Sequence, residues 1–431
     1  MRGGAMLMEP NIGVLADGSD GCVFTKPSLP CAEGTQGQTI IDPRNPEIVG
    51  KVVDVSDEEK KFLEIANSIL GKELALKYLA GLQGSCNPAN STHPPKEDEK
   101  PIFNSSMKSL SQWSSRHACS KLKEKYLTRK NITSTHSLLF ISRYPRTLEE
   151  WITHIKGNKL SIPSILQAVN QSMPDFIHVL QLFYKHPSKQ LINLDLHHAN
   201  IFVRSYENSI QFGLSDFGRC ISVEGDMDSA IRLYLTKYQK QTIFSRFRQI
   251  PFEARLLNFI FKQNLETQSP SVILHSFITN NDISVYSSYS NDFIIMNLQS
   301  LFNYLQKKVL FIEFIETLKS IVIKMKGQQL LELTSIEKQI VWFILTRYMA
   351  VAPIITIAEQ LMDLNNRNQI HEYAKRVCNE YLEGKVSSHN SLYYPILSFL
   401  TRILVAPYVT SLKSVEDADN VHFWNDIMSG M

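Results

Sequence analysis

The sequence LINLDLHHANIFVRSYENSIQFGLSDF occupies residues 191–217 and decides the fold prediction for the whole chain. A short apolar run precedes Asp195, and Asn200 follows after four intervening residues. A second apolar run leads to a D-F-G sequence that begins at Asp216. The pattern predicts short strands with oxygen-bearing side chains at their ends. Phosphoryl transfer needs such groups: a carboxylate that orients the acceptor hydroxyl, and an amide and a second carboxylate that hold magnesium against nucleotide phosphates.

The spacing D-x-x-x-x-N followed by D-F-G resembles the catalytic and metal-binding loops of the protein kinase superfamily. This resemblance implies that Asp195 is the catalytic carboxylate and that Asn200 and Asp216 are the metal ligands. It extends from residue 12 to about residue 255, and the rest of the chain is predicted only as a large helical region.

The segment around Asp195 departs from the kinase pattern H-R-D-L-K-x-x-N. Asn193 stands for the histidine, Leu194 for the arginine and His197 for the lysine. The form D-L-H-x-x-N is closer to viral kinase-like proteins and to antibiotic and choline phosphotransferases. By resemblance, His197 donates a hydrogen bond to the transferring phosphate; a surface histidine without a role is the alternative. Loss of the arginine removes the usual clamp for a phosphorylated activation loop.

Residues 12–24, IGVLADGSDGCVF, predict two strands joined by a glycine turn, which would place backbone N–H groups over phosphates. Glycine turns also join strands that bind nothing, and that alternative stays open. The segment resembles the kinase glycine-rich loop, which implies that Gly18 and Gly21 cover the phosphates and that Val23 packs on adenine. The sequence G-C-V-F, followed by prolines and a cysteine, is similar to the serine/threonine kinase-like proteins of large nucleocytoplasmic DNA viruses.

Residues 47–55, EIVGKVVDV, predict a third strand with Lys51 among valines, where a lysine is costly to bury without a partner. By resemblance, Lys51 contacts the α- and β-phosphates and is held by a glutamate of the following helix. We select Glu64 as that partner; Glu58 and Glu59 are alternatives that leave little chain to reach the helix. A lysine on a solvated strand face is the non-functional alternative. The apolar stripe of the predicted helix consists of Phe62, Ile65, Ala66, Ile69 and Leu70.

The remaining segments complete the prediction. Residues at about 81–134 are polar and predict a surface insertion, residues 137–144 predict a strand and hinge, and residues 161–186 predict an amphipathic helix. The sequence I-P-F-E at residues 250–253 resembles the kinase A-P-E motif with one inserted residue, which implies that Glu253 braces the larger lobe. The resemblance also implies an aspartate buried at the base of the larger lobe, for which Asp292 is the candidate. Further helices are predicted at 293–307, 309–326, 336–366 and 372–382, with a serine-rich interruption at 268–289.

Composition limits the class of protein. A chain of 431 residues with 43% hydrophobic and 20% charged residues predicts a folded protein with a sizeable core. The net charge of +3 does not favour nucleic-acid binding. Six scattered cysteines without a C-x-x-C pair indicate reduced thiols and a cytoplasmic location. No membrane span is predicted, because Arg347, Pro353 and Glu359 interrupt the most apolar run, at residues 340–361.

The sequence therefore predicts an α+β protein with a two-lobed, protein-kinase-like fold. Its small β-rich N-lobe would cover residues 1–144, and its helical C-lobe residues 145–431, with a helical extension after about 255. The resemblance implies ATP- and Mg²⁺-dependent transfer to serine or threonine hydroxyls of protein substrates, in the host cytoplasm or virion if the protein is viral. The alternatives are a small-molecule phosphotransferase and a pseudokinase that serves as a binding module.

Overall fold

The computed structural model shows an α+β protein whose sheets are small and antiparallel, as the sequence predicted. It divides into two compact units. Unit 1 contains the described residues up to Tyr144 together with Ser215–Gly218, and unit 2 contains those of Pro145–Leu214 and those from Arg219 onward. The residues that the structure describes are 14–17, 21–24, 48–54, 58–87, 136–158, 160–206, 209–238, 250–279, 301, 303–365, 367–385 and 390–408.

Unit 1 is built on a five-stranded antiparallel sheet. Its strands are β1 (Val14–Asp17), β2 (Gly21–Phe24), β3 (Ile48–Asp54), β4 (Leu82–Cys86) and β5 (His136–Ser142), in the order β1-β2-β3-β5-β4. The central strand β3 pairs with β2 on one side and β5 on the other. Its valines and the apolar residues of β5 are buried, as expected for continuous apolar runs in the middle of a sheet. The strands predicted at 12–24, 47–55 and 137–144 are confirmed.

One helix, α1 (Glu59–Tyr78), follows the central strand of unit 1. The predicted apolar stripe is confirmed, since all five of its residues are buried. Gly71 interrupts the helical backbone at a φ of 72°, a conformation that glycine adopts without a Cβ penalty. Asn67 donates a side-chain hydrogen bond of 3.0 Å to the carbonyl of Leu82, which ties the helix to β4.

Strand β4 occupies residues where the sequence predicted the start of a polar insertion. Its pairing with β5 and a 2.8 Å hydrogen bond from Gln83 to the Ser142 hydroxyl accommodate its polar residues at the sheet edge. Cys86 at its end is disulfide-bonded, so the expectation of reduced thiols is wrong for this residue. Cys220 and Cys378 are free and buried. The rest of the predicted insertion, from residue 88, lies outside the described residues.

Unit 2 begins with two helices and two small sheets. The helices are α2 (Leu148–Asn158) and α3 (Ile162–Lys185). The strands are β6 (Arg146–Thr147), β7 (Gln190–Asn193), β8 (Ile201–Ser205), β9 (Ile210–Leu214) and β10 (Cys220–Val223). Strand β7 pairs with β10, and β8 pairs with both β6 and β9. Helix α3 confirms the prediction for residues 161–186, and Pro174 lies inside it without ending it.

The remainder of unit 2 is helical, as predicted. Its helices are α4 (Met227–Leu233), α5 (Phe252–Gln263), α6 (Pro270–Thr279), α7 (Val309–Lys326), α8 (Ser335–Ala350), α9 (Ala352–Met362), α10 (Arg367–Leu382) and α11 (Tyr394–Val405). Two details differ from prediction. The long segment 336–366 divides at Val351, just before Pro353, and the serine-rich segment 268–289 contains α6. Asp292 and most of the helix predicted at 293–307 lie outside the described residues.

Helices α8 and α9 form an apolar stretch, Ser335–Met362, that is long and apolar enough to cross a membrane. Of its most apolar window, 83% is buried inside the fold, which is typical of the core of a soluble protein. A capping box at Thr334 and Glu337 fixes the start of α8. Burial raises the pKa of the Glu337 carboxyl, but hydrogen bonds from Lys324 and Ser320 outweigh it, so the pKa lies below its usual value.

A buried ion pair joins α5 to α8. The carboxylate of Glu253 accepts a 3.0 Å hydrogen bond from Nε of Arg347 and a 3.2 Å hydrogen bond from the Tyr408 hydroxyl. Both charged side chains are almost completely buried. Burial, and next the negative charge of Glu253, raise the pKa of the Tyr408 phenol, so this hydroxyl remains a donor. Glu253 thus occupies a bracing position inside unit 2.

We expect Tyr408→Phe to lower the free energy of unfolding by about 2 kcal/mol, because Glu253 loses a hydrogen bond inside the core. Urea denaturation measures this difference. Tyr206→Phe is the matched control, since the Tyr206 hydroxyl has a long 3.4 Å contact with Gln211 and the residue is 53% exposed. Equal losses in the two variants would contradict a structural role for the buried hydroxyl.

Candidate functional site

A buried lysine in unit 1 lies between two carboxylates. Lys51, in the middle of β3, has only 7% of its surface exposed. Its Nζ lies 2.7 Å from the carboxylate oxygens of Glu59 and 3.3 Å from Oδ1 of Asp216. An ammonium group in this environment persists only when anions compensate the loss of water, and here two carboxylates do so. The alternative of a lysine on a solvated strand face is therefore excluded.

The partner of Lys51 is Glu59 and not Glu64, the residue we selected from the sequence. Glu59 is the first residue of α1 and shares a helix face with Phe62, Leu63 and Ala66, which are buried. Glu64 lies on the exposed face, 3.9 Å from Lys60 in a surface pair. The short connection after β3, which counted against Glu59, instead brings the first helical turn to the strand. Spacing from Glu59 of three, four and seven residues was the sequence signal for this face.

Asp216 adopts a backbone conformation that few residues adopt. Its φ is 53°, in the left-handed region, and the only other non-glycine residues with positive φ in the described part of the chain are Asn264 and Gln328. The Gly218 amide lies 3.4 Å from Asp216 Oδ1, and Phe217 between them is fully buried. Aspartate tolerates the left-handed region better than most residues, and such conformations cluster at functional sites. The buried phenylalanine and the lysine contact together hold this carboxylate in place.

The candidate nucleotide-covering residues are only partly described. Val23 in β2 lies opposite Lys51 in the strand register and is half-buried. Gly21 pairs with Val53 at the start of the same strand. Gly18 lies outside the described residues.

In unit 2, hydrogen bonds fix the loop that carries Asp195. The Asp195 amide donates to the Asn193 side chain at 2.9 Å. The Asp195 carbonyl accepts from the His197 amide at 3.0 Å and from the Asn200 side-chain nitrogen at 2.8 Å. Asn193, which replaces the kinase histidine, is fully buried. The amide nitrogen of Asn200 therefore shapes the loop, and its hydrogen bond does not use the amide oxygen, the atom that a magnesium ion would take.

His197 faces the carboxylate of Asp195. Its Nε2 lies 3.9 Å from Asp195 Oδ1, and only 21% of its side chain is exposed. Its Nδ1 accepts a 3.2 Å hydrogen bond from the Ala199 amide, which assigns the proton of the neutral ring to Nε2. His197 is thus partly buried beside Asp195 and not on the open surface.

Sequence patterns did not identify Arg219, which lies beside Asp195 together with Asn200 and His197. Nη1 of Arg219 lies 3.5 Å from Asp195 Oδ2, and the Arg219 carbonyl accepts a 2.9 Å hydrogen bond from the Leu194 amide. The only sequence signal was its position directly after D-F-G; in the structure it immediately precedes β10, which pairs with β7.

Helices α8 and α9 anchor the same loop. The Asn193 amide donates to the sulfur of Met349 at 3.3 Å, and the Thr356 hydroxyl lies 3.3 Å from the Leu196 carbonyl. Thr356 is buried and also donates to the carbonyl one turn earlier in its helix, at 2.8 Å. The structure uses a thioether and a hydroxyl on two core helices to hold the loop backbone.

The predicted metal ligands are oxygen donors, one in each unit. Asp216 in unit 1 has a carboxylate and Asn200 in unit 2 has an amide oxygen, and magnesium prefers oxygen ligands supplemented by water and phosphate. Over the ranges that the structure describes, no three or more His, Cys, Asp or Glu side chains form a metal-binding group. The chain matches no family model and no curated protein.

Proposed function

We propose that this protein transfers the γ-phosphoryl group of ATP, with Mg²⁺, to serine or threonine hydroxyls of protein substrates, and that it has a two-lobed, kinase-like fold. The observation that carries the proposal is the position of Lys51, buried between Glu59 at 2.7 Å and Asp216 at 3.3 Å. A lysine that binds nucleotide phosphates needs a carboxylate that fixes its ammonium group and a location beside the metal ligand. Unit 1 supplies both from separate parts of the sequence.

The organisation of each unit supports the same proposal. In unit 1, a five-stranded antiparallel sheet carries Lys51 on its central strand, and the helix after that strand supplies the glutamate. In unit 2, Asp195 and Asn200 belong to one hydrogen-bonded loop between β7 and β8. These are the elements that the resemblance to protein kinases requires.

Each candidate residue then has a role. Asp195 orients the acceptor hydroxyl and accepts its proton, and Lys51 binds the α- and β-phosphates. Asn200 and Asp216 would hold Mg²⁺, which neutralises negative charge on the phosphates when bound. His197, with its proton on Nε2, would donate a hydrogen bond to the transferring phosphate. Positioning and electrostatic stabilisation supply most of the rate enhancement in this chemistry.

Two observations favour a protein substrate over a small molecule. The D-F-G sequence retains its phenylalanine and glycine, and Phe217 is fully buried. Glu253, in the segment that resembles A-P-E, forms a buried ion pair with Arg347. A pseudokinase is the third candidate, and the complete set of Lys51, Asp195, Asn200 and Asp216 weighs against it.

The test is incubation of the purified protein with γ-labelled ATP and Mg²⁺, once with a mixed protein extract and once with a pool of small-molecule alcohols. We expect label on protein serine or threonine in the first incubation. Label only in small molecules would favour the phosphotransferase alternative. Nucleotide binding without any transfer would favour the pseudokinase alternative and contradict the proposal.

Phosphorylation of residues 219–253 is not required for the proposed activity. Leu194 occupies the position of the arginine that binds an activation-loop phosphate, and leucine cannot form that ion pair. The protein is treated with a broad-specificity phosphatase, and the phosphatase is then removed. We expect its rate of phosphoryl transfer to equal that of the untreated protein. Mass spectrometry of the treated protein confirms complete removal. If phosphatase treatment abolished activity and rephosphorylation restored it, another basic residue would have to bind the activation-loop phosphate.

A further inference from the structure

Arg219 and Asp195 form an ion pair inside unit 2, and the proposed mechanism above gives Arg219 no role. Nη1 of Arg219 lies 3.5 Å from Oδ2 of Asp195, and the two side chains are 21% and 12% exposed. A pair this shielded is screened less by solvent and salt than a pair on an open surface. The guanidinium therefore acts on the orientation of the carboxylate that would receive the acceptor proton.

The backbone makes this ion pair rigid. The Arg219 carbonyl accepts the Leu194 amide at 2.9 Å, and the next residue, Cys220, is opposite Asn193 in the β7–β10 ladder. Both Cys220 and Asn193 are fully buried. Arg219 and Asp195 thus both lie just beyond the same end of this two-stranded ladder. Little conformational entropy is lost when groups held in this way meet.

The two oxygens of the Asp195 carboxylate have different neighbours. His197 Nε2 is 3.9 Å from Oδ1, whereas Arg219 Nη1 is 3.5 Å from Oδ2. Arg219 is the permanently charged member, since a guanidinium does not lose its proton in proteins. Leu194, next to Asp195 in the chain, contributes no charge. The fixed positive charge on this loop is thus supplied by the first residue after D-F-G.

We propose that Arg219 is a positioning residue that holds the Asp195 carboxylate in the orientation needed by the acceptor hydroxyl. This inference rests on the proposed function and adds a residue that the kinase-like motifs do not assign. Without Arg219 the carboxylate rotates more freely, and turnover falls while nucleotide affinity is retained.

The experiment compares Arg219→Gln and Arg219→Lys with the wild-type full chain in steady-state transfer from labelled ATP. We expect Arg219→Gln to lower kcat about 10-fold or more, because a misplaced catalytic group is costly, with KM for ATP changed less than about twofold. Arg219→Lys retains the charge and should recover part of the lost kcat. Arg232→Gln is the matched control, since the Arg232 guanidinium donates a 3.1 Å hydrogen bond to the Ser229 hydroxyl and has no role in the proposed site.

Several outcomes would overturn the inference. A wild-type kcat in Arg219→Gln would do so, as would an increase, which would indicate an inhibitory contact. Equal losses in the Gln and Lys variants, with a lowered thermal midpoint in both, would indicate a purely structural role. If Arg219→Gln does not fold, the kcat of Arg219→Lys decides, and a loss confined to KM for ATP contradicts positioning. An inactive wild type would overturn the proposed function itself, which separates that failure from a failure of Arg219 alone.

A double-variant cycle adds an independent check. With Asp195→Asn in place, the carboxylate that Arg219 orients is gone, so Arg219→Gln should lower the residual rate little further. Independent, multiplicative losses would show that Arg219 acts elsewhere and would overturn the inference.

Discussion

Replacement of Asp216 by asparagine should lower the proposed phosphoryl transfer by about 10²-fold or more, because the carboxylate that we propose as the principal metal ligand is lost. Asparagine has the same shape and also tolerates the left-handed backbone that Asp216 adopts at φ 53°. The fold should therefore survive, and circular dichroism and the thermal midpoint without nucleotide should remain close to wild type. With ATP and Mg²⁺ added, the wild type should gain thermal stability and the variant should gain less.

Asp228→Asn is the matched control for this experiment. The side chains of Asp216 and Asp228 are both 44% exposed, and each pairs with a lysine, Lys51 and Lys338 respectively. Loss of a surface ion pair is worth little, so Asp228→Asn should keep wild-type turnover. Near-wild-type transfer by Asp216→Asn would contradict the assignment of the metal ligand. A comparable loss in both variants would indicate a general effect of removed charge.

The second large effect concerns Lys51. Lys51→Met keeps the apolar stem and removes the ammonium group that we propose binds nucleotide phosphates, so transfer should fall by about 10²-fold. The Glu59 side chain is 3% exposed, and this variant leaves its carboxylate buried without its nearest cation. We expect a loss of roughly 3 kcal/mol in unfolding free energy for that reason. Steady-state transfer and urea denaturation measure the two quantities.

Glutamate substitutions identify the partner of Lys51. Glu59→Gln should reduce transfer about 10-fold, because the lysine then loses the nearest carboxylate that fixes it, whereas Glu64→Gln should change neither transfer nor stability. These two residues of the same helix differ in burial, which makes one the control for the other. Equal effects would contradict the pairing seen in the structure.

The double variant Lys51→Met/Glu59→Gln separates activity from stability. Its transfer rate should be little lower than that of Lys51→Met alone, since both residues act as a unit. Its unfolding free energy should exceed that of Lys51→Met, because the unpaired buried carboxylate has been removed. Additive losses in both quantities would show that Lys51 and Glu59 act independently.

Local patterns in the sequence predicted most secondary structure. Apolar runs predicted β3, β5 and β7, and the three- and four-residue spacing of apolar positions predicted α1, α3 and α7, because these patterns bury one strand or helix face. The errors arose where polar composition hid a regular element. Strand β4 is polar and lies at a sheet edge, where pairing with β5 satisfies its backbone, and α6 lies within a serine-rich segment.

The candidate residues of the site could be chosen from motif spacing, but their partners could not. The sequence by itself determined that Lys51 lies on a strand and that Asp195, Asn200 and Asp216 lie next to the ends of short strands, because local periodicity and spacing specify these positions. Tertiary structure alone decided that Glu59 and not Glu64 meets Lys51, since the point where α1 begins sets which helix face contacts β3. It also decided that Arg219 reaches Asp195, because only the pairing of β7 with β10 brings those residues together. Contacts between residues distant in sequence depend on strand register and helix rotation, and no local pattern encodes either.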